Sequence, residues 1–124
     1  MDREKFEEVV AGAVNDLPEL FLGRLENVEI VVENRPTPRQ LYTAGLGHDQ
    51  VLLGLYEGVP QTERGGHYGM VLPDKITIFK EPIETRCRSE AEIRAEVRKV
   101  VMHEIAHHFG TSDARLQEIE RDDD

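Results

Sequence analysis

Apolar residues near the amino end, Phe6, Val9, Val10, Ala13, Val14 and Leu17, recur at the three- and four-residue spacing of a single helical face. The pattern predicts an amphipathic helix over 2–16, interrupted at Pro18, with a second break at Gly23. Between Asn27 and Asn34 the period drops to two, with Val28, Ile30 and Val32 alternating with other positions, and predicts a strand. Residues 35–50, RPTPRQLYTAGLGHDQ, carry two prolines and two glycines and read as a long loop. VLLGLYEG (51–58) reads as a second strand, and the glycine inside it, Gly54, suits a bulge or a close backbone approach. A glycine-rich connection covers 59–70. DKITIFK (74–80) is a third strand, rich in β-branched and aromatic residues, with ends set by Pro73-Asp74 and Pro82. Three strands or slightly more make a small sheet that needs helices to cover it.

The last long element starts at Ser89, where Glu92 three residues later completes a capping-box pattern. The predicted helix runs to about Phe109, and Gly110 is the expected stop. In its first half Glu92, Arg94, Glu96, Arg98 and Lys99 form a broad polar arc, with Ile93 and Val97 facing inward. In its second half Met102, Ala106 and Phe109 occupy the side the charges had held, while Val100, Val101 and Ile105 continue the original face. The second half is therefore expected to be enclosed on most sides, with His103, Glu104, His107 and His108 inside the enclosure. Burying such groups is expensive unless they are paired or bind a metal. SDARLQEIE (112–120) predicts a short closing helix and RDDD a solvated tail. No repeat, linker or second domain is visible, so residues 1–124 are expected to form one domain.

Composition narrows the function classes. Asp and Glu number 25 against 15 Lys and Arg, a formal net charge of −10 that repels phosphate backbones and argues against nucleic acid as a partner. No apolar run approaches the roughly 18 residues of a membrane span, and the acidic start MDREKFEEVV does not resemble a secretory signal. One cysteine, Cys87, forms neither an internal disulfide nor a cysteine-rich zinc site, and a reducing cytoplasm is expected. Arg86 and Arg88 beside it would favour a thiolate, but an ordinary semi-exposed thiol is the simpler reading.

A metal resolves the burial problem on the last helix. His103 and His107 are four residues apart, so both imidazoles project from one face, one turn apart, and suit a shared ion. Glu104 sits beside that ion rather than on it. The pattern is H-E-x-x-H, in which two neutral imidazoles hold zinc and the glutamate takes a proton from zinc-bound water. Gly110 ends the helix and lets the chain turn back, so that Asp113 can supply a third ligand. The competing role for Asp113 is the N-cap of the closing helix, which Ser112 or Thr111 would fill equally well. Glu118 and Glu120 are rival carboxylates, but they follow too closely and read as solvated.

The segment HEIAHHFGTSD, from His103 to Asp113, resembles the zincin pattern H-E-x-x-H-x-x-G-x-x-D. The small size, the order of elements, the doubled His107-His108, and the LYEGVP and LPDKITIF segments are similar to the bacterial mini-zincin family of zincin-like metallopeptidases, from about Val28 onward. The resemblance implies an α+β, zincin-like minimal fold. A small mixed sheet packs against an N-terminal helix and an active-site helix, a short helix closes the chain, and an edge strand pairs with extended peptide. It implies one zinc ion held by His103, His107 and Asp113, with Glu104 as general base in peptide-bond hydrolysis. The larger metzincins have a methionine turn beneath the zinc. Here no methionine follows Met102, so another side chain must support the site.

The oxyanion donor has two candidates, His67 and Tyr68 in the GGHYG segment. His108 points about 100° away from His107, so it reads not as a ligand but as a histidine that is either buried or placed behind the ligands. His48 reads as a loop residue, and Gly45-Leu46-Gly47 lacks the flanking strand and helix of a dinucleotide site. Two functions stay open: a cytoplasmic zinc peptidase acting on peptide or protein substrates, and a catalytically weak or inactive zincin-like module that binds peptides along its sheet edge. A pure binder has no need of Glu104, which favours the first.

Overall fold

The computed structural model describes residues 1–47, 50–58 and 73–110. Helix α1 (Arg3–Asn15) starts where Asp2 accepts the Lys5 N–H at 2.8 Å, and it buries Phe6, Val9, Val10 and Ala13 on the face the spacing predicts. Pro18 does end this helix, but it also opens a short second one, α2 (Glu19–Arg24), which drives Phe21 into the core. Gly23, a break on the sequence reading, lies inside α2. Asn27 adopts a left-handed conformation (φ 62) and turns the chain into β1 (Val28–Glu33).

The expected loop over 35–50 contains a helix, α3 (Pro38–Thr43). Thr37 and Gln40 form a reciprocal capping box around Pro38, which sits in the first turn, where its missing N–H has no helical partner to lose. β2 (Gly54–Glu57) is shorter than the predicted strand, and β3 (Asp74–Phe79) is the central strand of a mixed sheet ordered β1-β3-β2. β1 pairs with β3 in parallel, Ile30 opposite Ile76. β2 pairs with β3 antiparallel, Tyr56 opposite Ile76 and Gly54 opposite Ile78. The strand ends before Pro82, as expected, and the chain passes from β3 directly into α4 (Lys80–Arg86), whose first turn includes Pro82.

Helix α5 (Glu90–Phe109) follows the prediction at both ends. Ser89 accepts the Glu92 N–H at 3.1 Å, and Gly110 closes the helix in the left-handed conformation (φ 74). The return bond of the capping pattern is shifted by one residue: the Glu92 carboxylate accepts the N–H of Arg88 at 3.1 Å. α5 lies along α1, and both cover one face of the sheet. Ile93, Val97, Val101, Met102 and Ile105 meet Phe6, Val10, Ala13, Val32, Ile76 and Ile78 in one core. Two Arg94 nitrogens donate to Asp16 Oδ2 at 2.6 and 2.8 Å, fastening α5 to the end of α1. The opposite face of β3 buries Thr77 and Phe79. The predicted connection 59–70, the closing helix 112–120 and the acidic tail lie outside the described residues. The architecture is α+β with a small mixed sheet, as expected.

Candidate active site

Gly54 determines how closely the active-site helix approaches the sheet. A β-carbon there would stand 2.5 Å from Val100 Cγ1 and 3.2 Å from the Thr77 carbonyl, so α5 crosses β2 at a contact that admits only hydrogen. Of the two sequence readings for this glycine, close approach is the one realised. The crossing brings Glu104, one turn further along α5, against the backbone of β2. Its Oε1 accepts the Tyr56 N–H at 2.9 Å. Burial raises the Glu104 carboxyl above its ordinary value; the Tyr56 N–H, and then His107 and His103, pull it back without cancelling the rise.

His103 and Glu104 are half-buried, whereas His107, His108 and Phe109 are exposed. The enclosure expected from the sequence therefore covers Met102, Ile105 and Ala106 but stops before the last turn. Among the described residues β2 ends at Glu57, and the turn of α5 after Ala106 meets it through the stacking of His108 on Tyr56. His103 and His107 share one face with ring centroids 6.3 Å apart and planes at 64°. Two imidazoles on one tetrahedral zinc, with Zn–N about 2.1 Å, have centroids about 5 Å apart. Small side-chain rotations, which the exposure of His107 permits, bring this pair to that spacing. The donor set fits zinc, since it offers two imidazoles beside a carboxylate held elsewhere by a backbone N–H. Among the described residues no three His, Cys, Asp or Glu gather to hold an ion. Asp113, the expected third ligand, lies outside the described residues, as do His48, His67, Tyr68, Thr111, Ser112, Glu118 and Glu120.

His108 is exposed, which removes the buried alternative of its sequence reading and leaves the other, a place behind the ligands. Its ring stacks on Tyr56 (centroids 3.9 Å, planes at 15°) and meets Phe109 edge-on at 4.9 Å. The Tyr56 hydroxyl donates to Asp74 Oδ2 at 2.6 Å. Neither Tyr56 nor Asp74 is recognisable as a site residue from spacing, because only the antiparallel register of β2 and β3 brings them together. Cys87 is half-buried; burial first, then Glu96 and Glu92, push its thiol up against the pull of Arg86, so the ordinary-thiol reading holds. A groove of about 800 Å³ between α4 and the segment before β2, lined in part by Leu41, Leu52 and Pro82, includes no residue of the H-E-x-x-H motif.

A family model described as zincin-like metallopeptidase matches residues 25–122. The chain belongs to the zincin-like metallopeptidase family. No curated protein matches it. Among solved structures, this zincin-like protein is similar to a conserved hypothetical protein from Thermo thermophilus, with TM-score 0.55 and 23% identity over 89% of this chain and 95% of that one. At that identity the likeness concerns the fold alone. Among the described residues of the zincin-like chain no helix is long and apolar enough to cross a membrane.

Proposed function

We propose that this protein is a zinc-dependent peptidase in which His103, His107 and Asp113 hold one zinc ion and Glu104 is the general base. The observation that carries the reading is the half-buried Glu104, oriented by the Tyr56 N–H and flanked on its own helix by two imidazoles that share a face. Family membership supports the metallopeptidase class. Zinc in such a site supplies Lewis acidity, polarising a scissile carbonyl and lowering the pKa of water.

The chain's own groups supply the rest. The Tyr56 N–H occupies Oε1 of Glu104, which leaves Oε2 to take a proton from water and pass it to the leaving amine. Burial raises the proton affinity of this carboxylate, which suits a base that must also act as an acid. Peptides or proteins are the substrate class. Among the described residues β2 is an edge strand, and Glu104 is bonded to its backbone, so an extended peptide added along β2 would lie beside the base. The same edge supports the second reading, a module that binds peptides without cutting them.

Zinc content and cleavage of a peptide library separate the two. Wild type is expected to hold one zinc, His107→Ala to lose it, and Glu104→Gln to keep it, because the amide oxygen still accepts the Tyr56 N–H. Cleavage is expected to fall about 10²- to 10⁴-fold in Glu104→Gln. A wild-type protein that holds no zinc at neutral pH overturns the metal assignment. Equal cleavage by Glu104→Gln overturns the base assignment. Zinc binding with no cleavage of any peptide selects the binding module.

A further inference from the structure

We infer that the Tyr56 side chain is a positioning group that holds the last turn of α5, and through it His107, in place for the metal; the inference rests on the zinc reading above. The last turn of a helix is its weakest part, because its final carbonyls lack intrahelical partners. Here that turn bears His107 and is exposed through Phe109. The core does not reach it, since Ala106 is the last buried residue of the helix.

A chain of ring contacts holds it instead. Tyr56 from β2 stacks on His108, His108 meets Phe109 edge-on, and the Arg24 guanidinium at the end of α2 sits 5.1 Å over the Phe109 ring. The first member of this chain is itself fixed. Tyr56 pairs with Ile76 of the central strand, and its hydroxyl is bonded to Asp74 at 2.6 Å, so the ring cannot swing away without breaking a short charge-assisted bond. Tyr56 thus acts on two different groups by two different routes. Its main-chain N–H orients Glu104, and substitution does not remove that N–H. Its ring restrains the peptide that follows His107, and substitution does remove the ring.

The test compares wild type, Tyr56→Phe, Tyr56→Leu and His108→Ala by zinc titration, and by amide hydrogen exchange at residues 107–110 of the metal-free proteins, with residues 97–101 as internal reference. Tyr56→Leu is expected to weaken zinc binding about three- to tenfold and to speed exchange in the last turn by a similar factor, leaving the reference unchanged. His108→Ala, at an exposed position, removes the other half of the stack without threatening the fold and is expected to do the same. Tyr56→Phe keeps the ring but loses its bond to Asp74, and is expected to lose clearly less than Tyr56→Leu, about two- to threefold.

Wild-type zinc affinity in Tyr56→Leu and His108→Ala overturns the inference while leaving the zinc reading intact. A loss in Tyr56→Phe equal to that in Tyr56→Leu overturns the assignment to the ring. If wild type binds no zinc, the zinc reading fails, and the exchange data decide the remainder: unchanged exchange at 107–110 overturns the role of Tyr56, and selective acceleration upholds it.

Discussion

Replacing Gly54 with alanine is expected to wedge α5 away from β2. The new β-carbon would sit 2.5 Å from Val100 Cγ1, whereas two carbons in contact need about 3.5 to 4.0 Å. Either the layers open by about 1 Å or Val100 changes rotamer. A rotamer change is unfavourable, because a β-branched side chain in a helix has one strongly preferred χ1. On the other side the Thr77 carbonyl, 3.2 Å away, belongs to the central strand and cannot yield. Backbone strain does not enter, because the described glycines with positive φ are Gly45 and Gly110. Forcing a methyl into a packed contact costs about 1–3 kcal/mol, and the reduced freedom of the unfolded chain returns about 0.4–1 kcal/mol. The net loss is about 1–2 kcal/mol, or about 4–8 °C in Tm for a chain of this size. Urea denaturation of a double-mutant cycle with Val100→Ala reads the cause directly. In the Val100→Ala background Gly54→Ala should cost about 1 kcal/mol less, with the contact to the Thr77 carbonyl as the remaining cost. A Gly54→Ala protein as stable as wild type, or equally destabilised in both backgrounds, refutes the close-approach account. Because Tyr56 is two residues further along β2, the same wedge should lengthen its bond to Glu104, and Val100→Ala should partly restore that bond as it partly restores stability.

Thr77 is fully buried on the central strand, and among the described residues its hydroxyl has no hydrogen-bond partner. Thr77→Val keeps the shape, removes the unmet hydroxyl and should gain about 1 kcal/mol by denaturant titration; a loss of that size would show that the hydroxyl is bonded after all. The pH dependence of stability should carry a signature from Glu84. Burial pushes its carboxyl up, but hydrogen bonds from Lys80 (2.6 Å) and from the N-terminal ammonium (3.1 Å) outweigh burial and leave it below its ordinary 4.5. A depressed carboxyl stabilises the fold fully above its unfolded value and loses that contribution as pH falls through its folded value. Glu84→Gln should therefore be less stable than wild type at neutral pH and converge with it as pH falls through the lowered folded value; a gap that persists once the carboxyl is protonated would refute the linkage.

The parts of the fold legible in the sequence are those whose signal is local. The apolar spacing of α1, the alternation of Val28, Ile30 and Val32, and the stop at Gly110 each lie within a few residues. Besides the short helix that Pro18 opens, two helices escape the sequence reading for one reason: proline reads there as a terminator. Pro38 and Pro82 both lie in first turns, where proline sacrifices no helical bond, and the Thr37–Gln40 capping pair is the signal that could reveal the first. The exposure of His107 and His108 is not legible, because a helical-face count shows which way a side chain points but not how far the neighbouring sheet extends. Tyr56 and Asp74 are not legible because their meeting depends on a strand register across 18 positions of chain.

The short strand β2 accounts for how one helix can be both a core element and a bearer of ionisable groups. At Gly54 the absence of a side chain lets α5 seat its apolar face, through Ile105 and Ala106, against the sheet. Two residues on, the backbone that this approach exposes to the helix satisfies Glu104, so the carboxylate is half-buried without being left unpaired. The same tyrosine then stacks on His108 in the turn beyond the core, where His107 is exposed. Polar groups and packing are thus separated around the helix at His103 and Glu104, which lie between buried Met102 and Ile105, and along it only beyond Ala106. Among the described residues the core beneath α5 contains no residue of the proposed ligand set, so removing zinc with a chelator is expected to leave the far-UV circular dichroism unchanged, in contrast to small domains that fold only around their zinc.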